Sequence, residues 1–229
     1  MDKDDTPIGG LEKPLQPTRQ LFWTSVAMDC VAIGLSFLIS YWFVICIIAY
    51  ILASRAYSFR GIRLKKFPVV GYLTVVIFQG AVTFFMVYHG SDTSNTLQVP
   101  PAGMVAAGLL IGGFYPLTQV YQHEADRKDG VVTISSMLGY RGTFIFTAVI
   151  YTLAMGMLFR LFSYRGEEKK ILVLATCMLP ILVYFFIWAG KVWKDVHNAN
   201  FRNTMRMNLL ASCCTNLAFF TLLTWRWFE

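Results

Sequence analysis

Seven apolar runs, at 21–39, 41–54, 69–88, 104–121, 143–162, 171–190 and 207–225, alternate with short polar connectors along the chain. A membrane-spanning helix needs about 20 apolar residues, so the pattern predicts an all-α, polytopic bundle of seven transmembrane helices. The second run is short and follows the first almost without a break, which predicts a tight helical hairpin. Pro100 and Pro101 mark the start of the fourth run, and Gly139 and Gly142 the start of the fifth. No polar stretch is long enough to fold alone. The chain therefore reads as one integral-membrane domain over 1–229, with 1–20 as a cytoplasmic N-terminal segment.

Composition supports this reading. Of 229 residues, 56% are hydrophobic and only 14% charged, against about 45–50% and 25% in soluble domains. Cys30, Cys46, Cys177, Cys213 and Cys214 lie inside apolar runs with no metal-ligand spacing. They read as reduced, buried apolar residues. The opening, with Asp2, Asp4 and Asp5, lacks the basic-then-apolar pattern of a signal peptide.

A net charge of +7 in a soluble protein would suggest nucleic acid as a partner. Here the distribution of charge argues for topology instead. With the N-terminus on side one, side two receives only Arg160, Arg165, Lys169, Lys170 and Arg226, and the other fifteen of the 20 Lys and Arg fall on side one. The positive-inside rule places side one in the cytoplasm. No nucleic-acid partner is expected; membrane lipid is. Trp23, Trp42, Trp188, Trp193, Trp225 and Trp227 fall near run ends and read as an interfacial belt.

Three polar clusters gather on side one. The first holds Asp2, Asp4, Asp5, Glu12 and Lys13, the second runs from Arg55 to Lys66, and the third from Gln122 to Asp129. Mg²⁺ takes oxygen ligands and commonly joins one or two carboxylates to substrate phosphates. If the third cluster is helical, Gln122 and Asp126 share a face and Glu124 points elsewhere. A cation held between the first and third clusters leaves a site for a diphosphate, with the basic second cluster neutralising the remaining charge. Blander readings exist for each: a topology signal or lipid contact for the basic loop, a solvated connector for the acidic one, and a frayed end for the N-terminal acids.

Asp29, inside the first run, should face a partner or snorkel to the interface. His89 and His197 read as interfacial, and His123 as a possible substrate contact. Asn208 and Asn216 read as interhelical glue. A transporter or channel is the weaker class, because the spans carry few midplane charges beyond Asp29.

The segment Gln122-His123-Glu124-Ala125-Asp126-Arg127-Lys128-Asp129-Gly130-Val131-Val132-Thr133, closing with Met137-Leu138-Gly139, resembles the second aspartate-rich motif of the UbiA family of intramembrane prenyltransferases. That motif runs DxxxD, then Gly, Thr and a final Leu-Gly. The loop from Tyr57-Ser58 through Arg63-Leu64-Lys65-Lys66-Phe67-Pro68 resembles the family's Tyr-Ser…Leu-Lys-Arg-x-Pro element. Lys13-Pro14-Leu15 resembles the Arg-Pro-Leu after the family's first motif.

The resemblance implies nine helices around a cavity, two Mg²⁺ ions between two aspartate-rich motifs, and an isoprenyl diphosphate donor. Its allyl group would pass to an aromatic or other lipophilic acceptor. Asp126, Glu124, Gln122, Asp2 and Asp4 are the implied metal ligands. Arg60, Arg63, Lys65, Lys66 and Arg127 would face the diphosphate, and Tyr57, with Asp126 and Glu124, would serve catalysis, its ring steadying the allylic cation. The setting expected is the cell (inner) membrane, with the charged loops cytoplasmic.

Two departures qualify the match. Seven spans and an opening at Met1-Asp2-Lys3-Asp4-Asp5, without the family's Asn-Asp start, suggest a chain lacking the first two helices. Gln122 stands where the motif has its first Asp. The alternative is a catalytically inactive, UbiA-like membrane scaffold or lipid-binding protein.

Overall fold

The computed structural model describes residues 18–59 and 61–225, and among these it contains helices and no strand. Asp2, Asp4, Asp5, Glu12, Lys13, Arg60, Arg226 and Trp227 lie outside the described residues. The first two passes are α1 (Arg19–Ser36) and α2 (Tyr41–Ser58). The third joins α3 (Pro68–Val75), a π-helical segment (Val76–Val82) and α4 (Thr83–Ser91). The fourth joins α5 (Pro101–Phe114), a 3₁₀ segment (Tyr115–Gln122) and α6 (His123–Lys128). The last three are α7 (Ile134–Tyr164), α8 (Glu168–Lys194) and α9 (Phe201–Trp225).

Six of these passes are long and apolar enough to cross a membrane. The exception is α1, which has the 18-residue length of α2 but carries Arg19 and Asp29. Side-chain caps set several boundaries: Thr18 accepts from the Leu21 N–H and Ser40 from the Phe43 N–H, both at 3.1 Å, and Thr133 forms a capping box with Ser136. Ser40 caps α2 directly after the Phe37–Ile39 turn, which gives the expected hairpin.

Packing centres on the fourth pass. Half of its apolar window is buried, against 6–22% for the other five, so it is the most enclosed of the six. A Cβ on Gly80 would come within 2.5 Å of Gly108 Cα, so the π segment and α5 touch backbone to backbone. Thr147 donates to Gly113 O at 2.9 Å, fixing α7 against α5. A buried cluster of Leu117, Val120, Phe144, Phe185, Trp188 and Met207 joins the 3₁₀ segment to α7, α8 and α9. It supports the acidic loop from below.

Several expectations change. The second pass runs to Ser58, not to 54, so Arg55 and Tyr57 ride on helix α2 rather than in a loop. Charged residues at a helix end interrupt the hydropathy run without interrupting the backbone hydrogen bonds. The fifth pass starts at Ile134, and Gly139, at φ 69° and ψ 174°, breaks its helical geometry in a region open essentially to glycine alone.

His89, near the end of α4, is buried within the protein. It is 1% exposed; its Nδ1–H donates to Thr96 O at 2.9 Å while Nε2 accepts from Ser40 Oγ at 2.6 Å, pinning the α1–α2 turn to the loop after α4. Trp188 is likewise a core residue, buried and donating to Asn198 O at 2.8 Å, and not part of a belt. Asn208 and Asn216 bond only within α9 among the described residues, to Met205 and Ser212, so neither joins helices. The five cysteines are free, as expected, but only Cys214 is buried; Cys30 and Cys213 are exposed on their helices. Asp29 pairs with Arg55 of α2, so it has a partner in the neighbouring helix.

Candidate functional site

Sequence-distant polar groups meet where α2, the loop after it and the end of the fourth pass come together. Arg63 takes a left-handed backbone conformation, φ 47°, uncommon for any residue but glycine. That turn directs its guanidinium to Asp129, with Nη2 donating to Oδ2 at 2.8 Å. The pair is mostly buried, with side chains 15% and 23% exposed. The basic and acidic clusters therefore touch.

Asp126 is buried, at 8% exposure, and its charge bears on the hydroxyls of Tyr57, Tyr115 and Tyr121. Tyr57 and Tyr115 share a hydroxyl–hydroxyl hydrogen bond across 58 residues, and Gln119 Nε2 donates to the Tyr115 hydroxyl at 2.9 Å. Tyr57, Tyr115, Gln119, Lys65, Tyr72 and Thr133 wall a cleft too narrow for a water-sized sphere. Within it the Gln119 amide oxygen, on a side chain more than nine-tenths buried, has no hydrogen-bond partner among the described residues.

The remaining expected residues spread out. Glu124 is exposed and bears on Tyr140 rather than on the tyrosines around Asp126, because residues two apart on a helix face opposite ways. Gln122 is half-buried and donates to the Tyr121 hydroxyl at 2.8 Å. Lys65 is half-buried at the cleft; Lys66 is exposed; Arg127 is exposed near His123 and Tyr140. Asp2, Asp4 and Arg60 lie outside the described residues.

His123 is enclosed by neighbouring side chains. It is 5% exposed, packed against Tyr140 with the rings tilted by 31° at 4.5 Å, and bonded through Nε2 to Ser135 Oγ at 2.7 Å. Ser135 Oγ lies 3.0 Å from Thr143 Oγ1, which lies 2.7 Å from Gly139 O. A carbonyl only accepts and each hydroxyl carries one hydrogen. The network thus runs one way: His123 Nε2–H to Ser135 Oγ, Ser135 Oγ–H to Thr143 Oγ1, and Thr143 Oγ1–H to a backbone carbonyl, Gly139 O at 2.7 Å or Ser135 O at 3.1 Å. This chain anchors α6 to the break in α7.

The oxygens that the structure sets near Asp126 are its own carboxylate and the hydroxyls of Tyr57, Tyr115 and Tyr121. That chemistry fits a hard cation such as Mg²⁺ and excludes a soft-metal thiolate site. Among the described residues no three His, Cys, Asp or Glu side chains converge, and Asp126 is the buried carboxylate at the site. Tyr115, Gln119 and Tyr121 were not among the expected site residues. A polar Gln inside an apolar run was the signal available for the middle one.

A model of the UbiA prenyltransferase family matches residues 13–210 of the chain. No curated protein and no solved structure matches it.

Proposed function

The chain belongs to the UbiA prenyltransferase family, a family of membrane prenyltransferases, and from that premise we propose that it moves an isoprenyl group from an allylic diphosphate to an aromatic or other lipophilic acceptor, with Mg²⁺. The observation that carries this reading is the Arg63–Asp129 pair, which joins the basic cluster to the acidic one beside the buried Asp126. In this reading the charged loops face the cytoplasm of the cell (inner) membrane, following the bias of positive charge.

The reaction breaks the allylic C–O bond, and the electron pair leaves with the diphosphate. The acceptor then supplies an electron pair to the allylic carbon and releases a proton. Mg²⁺, held by Asp126 with the nearby phenol oxygens and by Asp2 and Asp4, would offset the charge developing on the leaving group. Lys65 adds fixed positive charge at the cleft, and Arg63 holds the basic loop against the acidic turn. The Tyr57 ring, held by the Tyr115–Gln119 chain, offers its face to the allylic cation. Burial of these groups excludes water, which would otherwise capture that cation.

A second reading, a catalytically inactive scaffold, is favoured by Gln122 at an acidic motif position and by the tightness of the cleft. Radiolabelled geranylgeranyl diphosphate separates the two. Diphosphate release that needs Mg²⁺ and stops with EDTA supports transfer chemistry. Donor binding with no release at any Mg²⁺ concentration supports the scaffold.

A further inference from the structure

We propose that Arg202 and Arg206 of α9 bind the anionic head, phosphate or carboxylate, of an amphiphile. The two are exposed and lie one helical turn apart, and with Phe201, Met205 and Leu209 they border an open, one-sided groove of about 550 Å³ walled by α9 alone. The groove shares no lining residue with the cleft at Lys65.

Charge balance carries the argument. Arg202 stands in the first turn of α9 and Arg206 in the next. The helix dipole there presents positive charge, and α9 has no acidic residue in its first turn. Neither arginine forms a carboxylate ion pair among the described residues. Arg206 instead lies beside the Tyr184 hydroxyl of α8. Asn200 Oδ1 already caps the helix start, accepting from the Asn203 N–H at 3.0 Å, so it is the two guanidinium groups, gathered without an acid, that favour an anion accepting several charge-assisted hydrogen bonds.

The shape adds the second requirement. Leu209, 68% exposed and two turns beyond Phe201 on the same stripe as Arg202 and Arg206, continues the groove as apolar surface. An anion with an apolar tail matches both ends, whereas a free inorganic anion matches one. The groove also opens on the face that carries the charged loops. Arg141, at the start of α7, donates to Trp193 O near the end of α8 at 2.8 Å, and Tyr121 packs edge-on against Phe201 at 5.3 Å. The inference is independent of prenyl transfer.

The test uses the full chain in dodecyl maltoside, with dioleoyl phosphatidylglycerol or dioleoyl phosphatidylcholine added at equal concentration and bound lipids counted by native mass spectrometry. The native chain should hold phosphatidylglycerol roughly tenfold better than phosphatidylcholine. R202Q/R206Q should lose that preference and R202K/R206K keep most of it. Displacement by dodecyl phosphate would mark a free amphiphile as sufficient; resistance to it would mark a two-tailed bilayer lipid. Equal retention of both lipids, or a preference that survives R202Q/R206Q, overturns the proposal. Should the glutamine variant not fold, a diazirine-bearing phosphatidylglycerol on the native chain decides: labelling of the 201–209 segment supports the site, and labelling only elsewhere overturns it.

Discussion

Arg63 and Asp129, 66 residues apart in sequence, meet at 2.8 Å and so bind the loop after α2 to the turn after α6. Everything proposed for the site depends on that junction, because it sets Lys65 and Tyr57 against the helix that carries Asp126. Arg63 reaches it from a left-handed backbone, so geometry as well as charge is committed to the contact.

Arg63→Ala is therefore expected to destabilise the fold by about 1–2 kcal/mol, less than a fully buried pair would cost because both side chains retain some solvent contact. It should also slow diphosphate release more than that loss of stability explains. The exchanged pair Arg63→Asp with Asp129→Arg should recover part of the activity, and a double-mutant cycle measures how much. No coupling between the two positions would show that the contact is incidental.

The contact of Gly80 with Gly108 is backbone on backbone, and no flexible side chain is available to yield. Gly80→Ala should cost on the order of 1–3 kcal/mol through overpacking, read as a lower unfolding temperature in detergent. Gly156→Ala is the control, since an added Cβ there meets nothing within 4 Å. Equal effects at the two positions would contradict the close packing.

The extent to which the chain could be read beforehand follows from what hydropathy reports. It located the passes, six of them long apolar runs and α1 a less apolar one that carries Arg19 and Asp29. It ended α2 four residues early, because Arg55 and Ser58 look polar whether they sit on a helix or beyond it. It did not register the π segment, where Gly80 packs on Gly108, or the 3₁₀ segment, which carries Pro116 in its first turn. At the site, the position of Asp126 was legible from the motif. The Tyr57–Tyr115–Gln119 chain was not, because which hydroxyls meet across 58 residues is decided by packing. Burial of His89 was hidden for the same reason: its partners Ser40 and Thr96 come from separate loops.

Ser135→Ala removes the acceptor of the buried His123 Nε2–H and interrupts the chain that anchors α6 at Gly139. A buried donor left unpaired costs about 1–3 kcal/mol. The expected result is a lower unfolding temperature, together with faster amide hydrogen exchange over 123–129. Ser135→Thr, which keeps a hydroxyl, should be milder. An unchanged exchange rate in Ser135→Ala would show that α6 is held by other contacts.

The central claim, that Asp126 gathers the cation and donor diphosphate at this face, is tested most directly by diphosphate release from radiolabelled geranylgeranyl diphosphate at saturating Mg²⁺, comparing the native chain with Asp126→Asn. The isosteric amide keeps the shape and removes the charge, so a fall of roughly 100-fold or more is expected with folding intact. Release by Asp126→Asn at the native rate would contradict the account.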